Sequence, residues 1–305
     1  MNKIYLIIIA LSVLSLQACL KGRDMVLDPV AVPATVEFGN VAGLGSAPTD
    51  SFRLYSVNYE ISPSAILELP LNYTGKNTAS KDITVTVAVD AALLSSYNTV
   101  KSTNVTLLPS TTYSLPLTAV IKKGTRTILL PIDFKVDQIS PTGSFALPLQ
   151  ISDASGEIIS KNFGRIIISV TPKNIYDGSY KVVSGEVIRY TNPTTPANDA
   201  LSGSMAGNPN VTLTTVGAYT VELGNMRWAG GTSGIGGINN LRATVDPATN
   251  LVTMAAIGNA TLANIPGAIN KYDPATKTFT LNFDWNQTST KREIKNLVLS
   301  YTGSR

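Results

Sequence analysis

Residues 272–285 read YDPATKTFTLNFDW. From Lys277 onward the stretch alternates. Phe279, Leu281, Phe283 and Trp285 fall on one face, and Thr280, Asn282 and Asp284 on the other, which is the period of a half-buried strand. The residues before it are a turn: Asp273 can accept from the turn backbone, and Pro274 presets φ at the next position. The same chemistry occurs in VDPATNLV (245–252), with Asp246 and Pro247. Each repeat predicts the tip of a β-hairpin. VTLTTVGAYTVELG (211–224) also alternates, and the glycine-rich AGGTSGIGGINN (229–240) reads as a loop. Antiparallel hairpins in series predict an up-and-down barrel for the second half of the chain.

Upstream the period is again two. In KDITVTVAVD (81–90), Ile83, Val85, Val87 and Val89 share a face, opposite Thr84 and Thr86. AALLSSYN (91–98) is the one stretch that reads as a short helix. Residues 104–134 predict three strands, with Lys123-Gly124 a tight turn between the last two, where glycine supplies positive φ. Residues 144–170 predict two more, separated by SDASGE. Pro116, Pro131 and Pro148 point to edges or bulges, because proline has no N–H for the ladder. Many short strands at regular spacing predict a sandwich. TPKN (171–174) is the expected boundary, since Pro172 ends a strand and a new pattern opens at IYDGSYKVV.

The composition agrees with an all-β chain of two domains. It has 305 residues, of which 14% are charged, against about a quarter in typical proteins. The formal net charge of +4 is scattered, and no run of Lys and Arg interleaved with aromatics marks a nucleic-acid surface. Histidine is absent, which excludes a Ser-His-Asp triad, Cys-His pairs and His-ligated zinc or iron. No S-x-x-K dyad occurs, GTSGIGG (231–237) fits neither G-x-S-x-G nor a phosphate loop, and no calcium loop is present. The expectation is a protein that is not an enzyme and that takes no cofactor and no metal.

The single cysteine, Cys19, follows Lys3, an apolar run from Ile4 to Leu16, and Leu16-Gln17-Ala18. The run is shorter than the roughly 20 residues a membrane-spanning helix needs, and it fits the apolar core of a signal peptide. The arrangement resembles the lipobox of bacterial lipoproteins, which implies cleavage after residue 18 and lipidation of Cys19. The alternative is a thiol discarded with the signal peptide. Residues 19–32 then form a spacer.

The blocks VTVAVDAALLSSYN, LLPSTTYSLP, IKKGTRTILLPIDF and FALPLQISDASGEIIS resemble an N-terminal domain of Bacteroidota lipoproteins of unknown function. NIYDGSY, INKYDPATKTFTLNFDW and LVLSYTGSR resemble the domain that often follows it. The resemblance implies an Ig-like β-sandwich over residues 33–172 and a lipocalin-like or calycin-like β-barrel over 173–305. It implies association with starch-utilisation-type uptake systems and a surface glycan-binding or adhesin-like role. Expected partners are the outer membrane, through the N-terminal lipid, then polysaccharide and an uptake complex. The expected location is the cell surface, with the periplasmic face of the outer membrane as the alternative. The competing function is a structural or assembly subunit with protein partners.

Sugar binding needs an aromatic face and a few amide or carboxylate groups. Trp228, with Arg227 and Asn225 beside it, stands before the glycine loop, and either stacks on a sugar at a barrel mouth or plugs the barrel end. Trp285, flanked by Asp284, either belongs to the core or lines an internal cavity where it could bind a ligand. Tyr176 and Tyr180 are either a sugar surface or the first packed turn of the barrel. Asp177 and Glu186 are the nearest approach to a carboxylate pair, and are expected to be solvated.

Overall fold

The computed structural model describes residues 33–39 and 50–305. The expected signal peptide, Cys19 and the expected spacer lie outside the described residues. Among these residues no helix is long and apolar enough to cross a membrane. The protein is nearly all β.

The first eleven strands are β1 (Thr35–Phe38), β2 (Leu54–Glu60), β3 (Ala65–Tyr73), β4 (Ile83–Val89), β5 (Thr106–Leu107), β6 (Tyr113–Ser114), β7 (Thr118–Ile121), β8 (Thr127–Phe134), β9 (Phe145–Asp153), β10 (Ile158–Ile159) and β11 (Arg165–Lys173). They form two sheets, ordered β10-β1-β3-β8-β6 and β2-β11-β9-β4-β7, with β5 also on β9. Leu69, Leu71 and Leu130 of one sheet and Val85, Leu149 and Ile168 of the other meet in a single core. The turn at Gly124 has φ +81°, as the sequence predicts, but it joins strands of different sheets, not a hairpin. β7 pairs with β4, whereas β8 pairs with β3. SDASGE likewise carries the chain from β9 across to β10, which lies beside β1.

The one α-helix among the described residues, α1 (Ala91–Lys101), is three residues longer than AALLSSYN. Its Leu93 and Leu94 cover Ala146 of β9 and Ile167 of β11 on the outer face of the second sheet. That cover makes the apolar runs of β9 and β11 nearly continuous, because both faces of these strands are buried.

The strand prolines sit where a neighbour is missing. β4 leaves β9 after Leu149, and β5 rejoins it only at Ala146 and Phe145, so Pro148 faces the gap. Pro131 of β8 lies beyond the reach of β6, which pairs only with Asp133 and Phe134. Pro116 lies between β6 and β7, in neither strand.

Ten further strands follow: β12 (Gly178–Arg189), β13 (Gly203–Ser204), β14 (Val211–Thr215), β15 (Thr220–Gly224), β16 (Leu241–Val245), β17 (Val252–Ala256), β18 (Ala263–Asn264), β19 (Lys271–Asp273), β20 (Thr278–Trp285) and β21 (Arg292–Gly303). They run β17-β16-β15-β14-β12-β21-β20-β18, with β13 on β12 and β19 on β20. Both DPAT turns tip hairpins: the Asp246 carboxylate accepts from the Ala248 N–H at 2.9 Å, and that of Asp273 from Ala275 at 3.0 Å.

The sheet curls into a nearly closed barrel. The Asn264 side chain helps close the seam by standing in for strand backbone: its Nδ2 donates to the Val252 carbonyl at 2.8 Å and its Oδ1 accepts from the Met254 N–H at 2.8 Å. A bridge between Leu251 and Lys271 continues the seam.

Between β12 and β20, β21 bulges at Asn296, which has φ +50°. Asn282 Oδ1 accepts the Asn296 N–H at 2.8 Å, and the Ser184 hydroxyl donates to the Asn296 carbonyl at 3.1 Å. The bulge therefore explains why Asn282 is buried although it lies on the face away from Phe279 and Leu281.

Candidate functional site

The sequence-derived aromatic candidates lie inside the barrel. Trp285 is 1% exposed and Trp228 is 8% exposed. Their rings stack on each other at 6.3 Å, and Phe283 stacks on Trp285 at 6.2 Å. The Arg189 guanidinium lies 5.4 Å from the Trp228 ring, over its face. Tyr180 is fully buried, its hydroxyl donating to the Tyr176 carbonyl at 2.9 Å. Tyr176 packs edge-on against Tyr272 at 4.9 Å. The barrel interior at these positions is packed side chain against side chain.

The polar candidates are committed locally. Asn225 is exposed at φ +64°, and its Nδ2 donates to the Asn210 carbonyl at 2.9 Å. Arg227 donates through Nε to Asn225 Oδ1 at 3.1 Å. Asp284 is buried on the outer face of β20, accepting from Gln287 at 2.8 Å and lying 3.6 Å from the Lys291 ammonium.

Next to Asp284 on β21, Glu293 is 1% exposed and accepts from Tyr190, Lys291 and Lys295. Burial pulls Glu293 upward, but the Lys291, Lys295 and Tyr190 donors together hold it below the usual carboxylate range. Burial and the hydrogen bond to Glu293 push the Tyr190 phenol up to about 12.

Asp177 and Glu186 do not form a pair. Glu186 is exposed, as expected. Asp177 is not a solvated acid: it is buried where the chain passes from β11 into β12. Its carboxylate accepts from the Thr215 N–H and hydroxyl, both at 2.8 Å, and from Arg305 Nε at 3.0 Å.

A second set of side chains, not singled out by the sequence reading, meets where the sandwich adjoins the barrel. A cleft of about 410 Å³ is lined by Asn58, Tyr59 and Glu60 of β2, and by Lys277 and Tyr301 of the barrel. Tyr59 is half-buried, its ring 6.0 Å from that of Phe134. Tyr301 is half-buried against Tyr180 at 5.5 Å, with the Lys277 ammonium 4.9 Å from its ring centre. Asn58 and Glu60 are exposed, and their side chains make no hydrogen bond among the described residues. Two braced aromatic rings beside uncommitted amide and carboxylate groups can stack on a ring-shaped ligand and bond its hydroxyls. Tyr59 stood outside every block that carries the resemblance, and Tyr301 lay in LVLSYTGSR with nothing local to mark it as a binding residue. They are far apart in the chain, and only the packing of the two units brings them to one cleft.

A family model described as an N-terminal domain matches residues 48–158, and one described as a C-terminal domain matches residues 164–299. The second match begins near β11, a strand that the structure places in the first pair of sheets. A search of curated protein sequences gives no match.

Among solved structures, a Bacteroides ovatus protein of unknown function is 20% identical, with a TM-score of 0.58 over 87% of this chain and 94% of that one. A multidomain B. ovatus protein that includes a domain of unknown function is 19% identical, with a TM-score of 0.56 over 87% and 93%. An auxiliary nutrient binding protein from Bacteroides thetaiotaomicron is 16% identical, with a TM-score of 0.53 over 86% and 94%. At these identities the likeness is one of fold. The chain is a two-domain protein of the architecture that these Bacteroides proteins share.

Proposed function

We propose that this protein is a lipid-anchored, non-catalytic component of the cell envelope that holds a glycan in the cleft between its two units. The observation that carries this reading is that Tyr59 and Tyr301 line one cleft, together with Asn58 and Glu60. A tyrosine face stacks on the apolar face of a sugar ring, and amide and carboxylate groups fix its hydroxyls. Trp228, Trp285, Tyr176 and Tyr180 are packed into the barrel core, so in this reading recognition falls to the surface.

In this reading the first unit is an Ig-like sandwich and the second a lipocalin-like or calycin-like barrel. Cys19 carries the lipid, and the outer membrane displays the protein at the cell surface as an accessory of a polysaccharide-uptake system. The nutrient-binding description of the B. thetaiotaomicron protein, which extends over both units, supports it.

The test is a glycan array on the folded protein, followed by calorimetry on each hit and on its Tyr59→Ala and Tyr301→Ala variants. Saturable binding that both substitutions weaken is expected. A hit indifferent to both moves the site elsewhere, and a blank array on folded protein favours the assembly role.

A further inference from the structure

A second cleft, of about 250 Å³, opens on the first unit between the start of α1 and the segment before β11. That volume lies just below the roughly 300–1,000 Å³ of sites for drug-sized ligands, so it suits a single small ring or chain. Among the described residues its charged lining is Arg53, Lys161 and Arg165, with Asp90 as the one acid, so that lining is net cationic.

Asp90 is the N-cap of α1, and its Oδ1 accepts from the Leu93 N–H at 3.0 Å. Its Oδ2 is buried and accepts no hydrogen bond. Among the described residues the cation paired with it is the Arg165 guanidinium, with Nε at 3.5 Å, too long for a good hydrogen bond. A buried acceptor left without a donor is costly, more so when charged. The Asp90 side chain is 9% exposed, whereas that of Arg165 is 62% exposed. Arg165 can therefore swing off Oδ2 with little loss of packing, and Lys161 is exposed with no ion pair among the described residues.

We infer that this cleft binds a hydroxylated carboxylate of the uronic-acid class. The ligand carboxylate takes Arg165 and Lys161, and one ligand hydroxyl donates to Asp90 Oδ2. A simple anion satisfies only the cations and leaves Oδ2 without a donor. A neutral sugar satisfies only Oδ2 and leaves the positive field uncompensated. The inference does not rest on the cleft between the units, which lies on other residues.

The test uses the whole protein in mild detergent, titrated with D-glucuronate, D-glucose and acetate by calorimetry and by amide chemical shifts. Glucuronate is expected to saturate, with shifts at Asp90, Lys161 and Arg165, while glucose and acetate do not saturate over the same range. Arg165→Gln and Lys161→Gln are each expected to weaken glucuronate about tenfold. Asp90→Asn keeps a good N-cap, and is expected to lower glucuronate affinity while raising that for acetate. Tyr59→Ala is expected to leave glucuronate binding unchanged. Acetate binding as tightly as glucuronate overturns the hydroxyl contact. Absence of glucuronate binding to folded protein overturns the site, whatever the outcome at Tyr59 and Tyr301.

Discussion

Trp228 and Trp285 stack on each other inside the barrel, with ring centroids 6.3 Å apart and planes at 29°. Trp228 opens the glycine-rich loop and Trp285 ends β20, so the contact ties the loop to the barrel wall. Replacing a buried Trp with Ala typically costs about 3–5 kcal/mol. Trp285→Ala is expected to fall in that range and Trp228→Ala at its lower end, measured by urea unfolding. Unchanged stability in Trp228→Ala, with a binding defect, returns that indole to the role of a stacking surface.

Asp177 gives the junction of the units a pH dependence of definite sign. Burial raises its pKa, but the Thr215 N–H, the Arg305 guanidinium and the Thr215 hydroxyl outweigh burial and hold it below the ordinary aspartate value. A carboxyl depressed in the folded state stabilises above its unfolded pKa, roughly 3.9, and that contribution fades as pH falls through the lower folded value. Glu293 acts with the same sign. Asp177→Asn is expected to cost about 2 kcal/mol at pH 7, the scale of hydrogen bonds to a charged group. The difference from the parent protein should shrink as the pH is taken below 4. A gap that stays constant down to pH 2 contradicts the assignment.

The barrel hairpins were legible because their information is local. The Asp246 and Asp273 turns and the alternation of Phe279 and Leu281 are set by neighbours a few residues away. The sandwich was legible in its strands but not in their connections. Nothing local tells Gly124 whether the next strand returns to the same sheet or crosses to the other. Pro148 did announce an interruption, and the missing neighbour was the gap between β4 and β5. Alternation put Asn282 and Asp284 on the face away from Phe279 and Leu281, but it assigns a face, not what later covers it. The Tyr59–Tyr301 cleft was illegible for the same reason at longer range.

Gly185 tests the bulge. It holds φ +148° beside Asn296, and a Cβ there meets Leu297 Cδ1 at 3.1 Å and Leu297 Cα at 3.2 Å. An L-residue is strained at that φ, and the backbone of β21 cannot step aside as a side-chain tip can. Gly185→Ala is expected to destabilise by about 1–3 kcal/mol, seen as a lower urea midpoint with unchanged slope. A neutral result places the bulge's tolerance in β12.

The anchor is tested at Cys19. Palmitate labelling and partition into the membrane fraction are expected for the parent protein and lost in Cys19→Ser. Labelling that persists in the variant rules out this cysteine as the lipid site.

The two tyrosines allow the proposed function to be separated from stability. Tyr59 packs against Phe134 and Tyr301 against Tyr180, so truncation of either removes some packing as well as a stacking face. Unfolding must therefore be measured on the same variants. If each ring stacks on a different sugar of one glycan, each Ala variant should lose about 1 kcal/mol of binding, the scale of a specific aromatic ring contact. The double variant should then lose about the sum, because rings with separate contacts do not couple. Tyr→Phe at either position keeps the face and should retain most of the affinity. A double variant no weaker than one single variant means that only one ring touches the ligand. Phe variants as weak as the Ala variants make the phenol hydroxyls the recognising groups and overturn the stacking account.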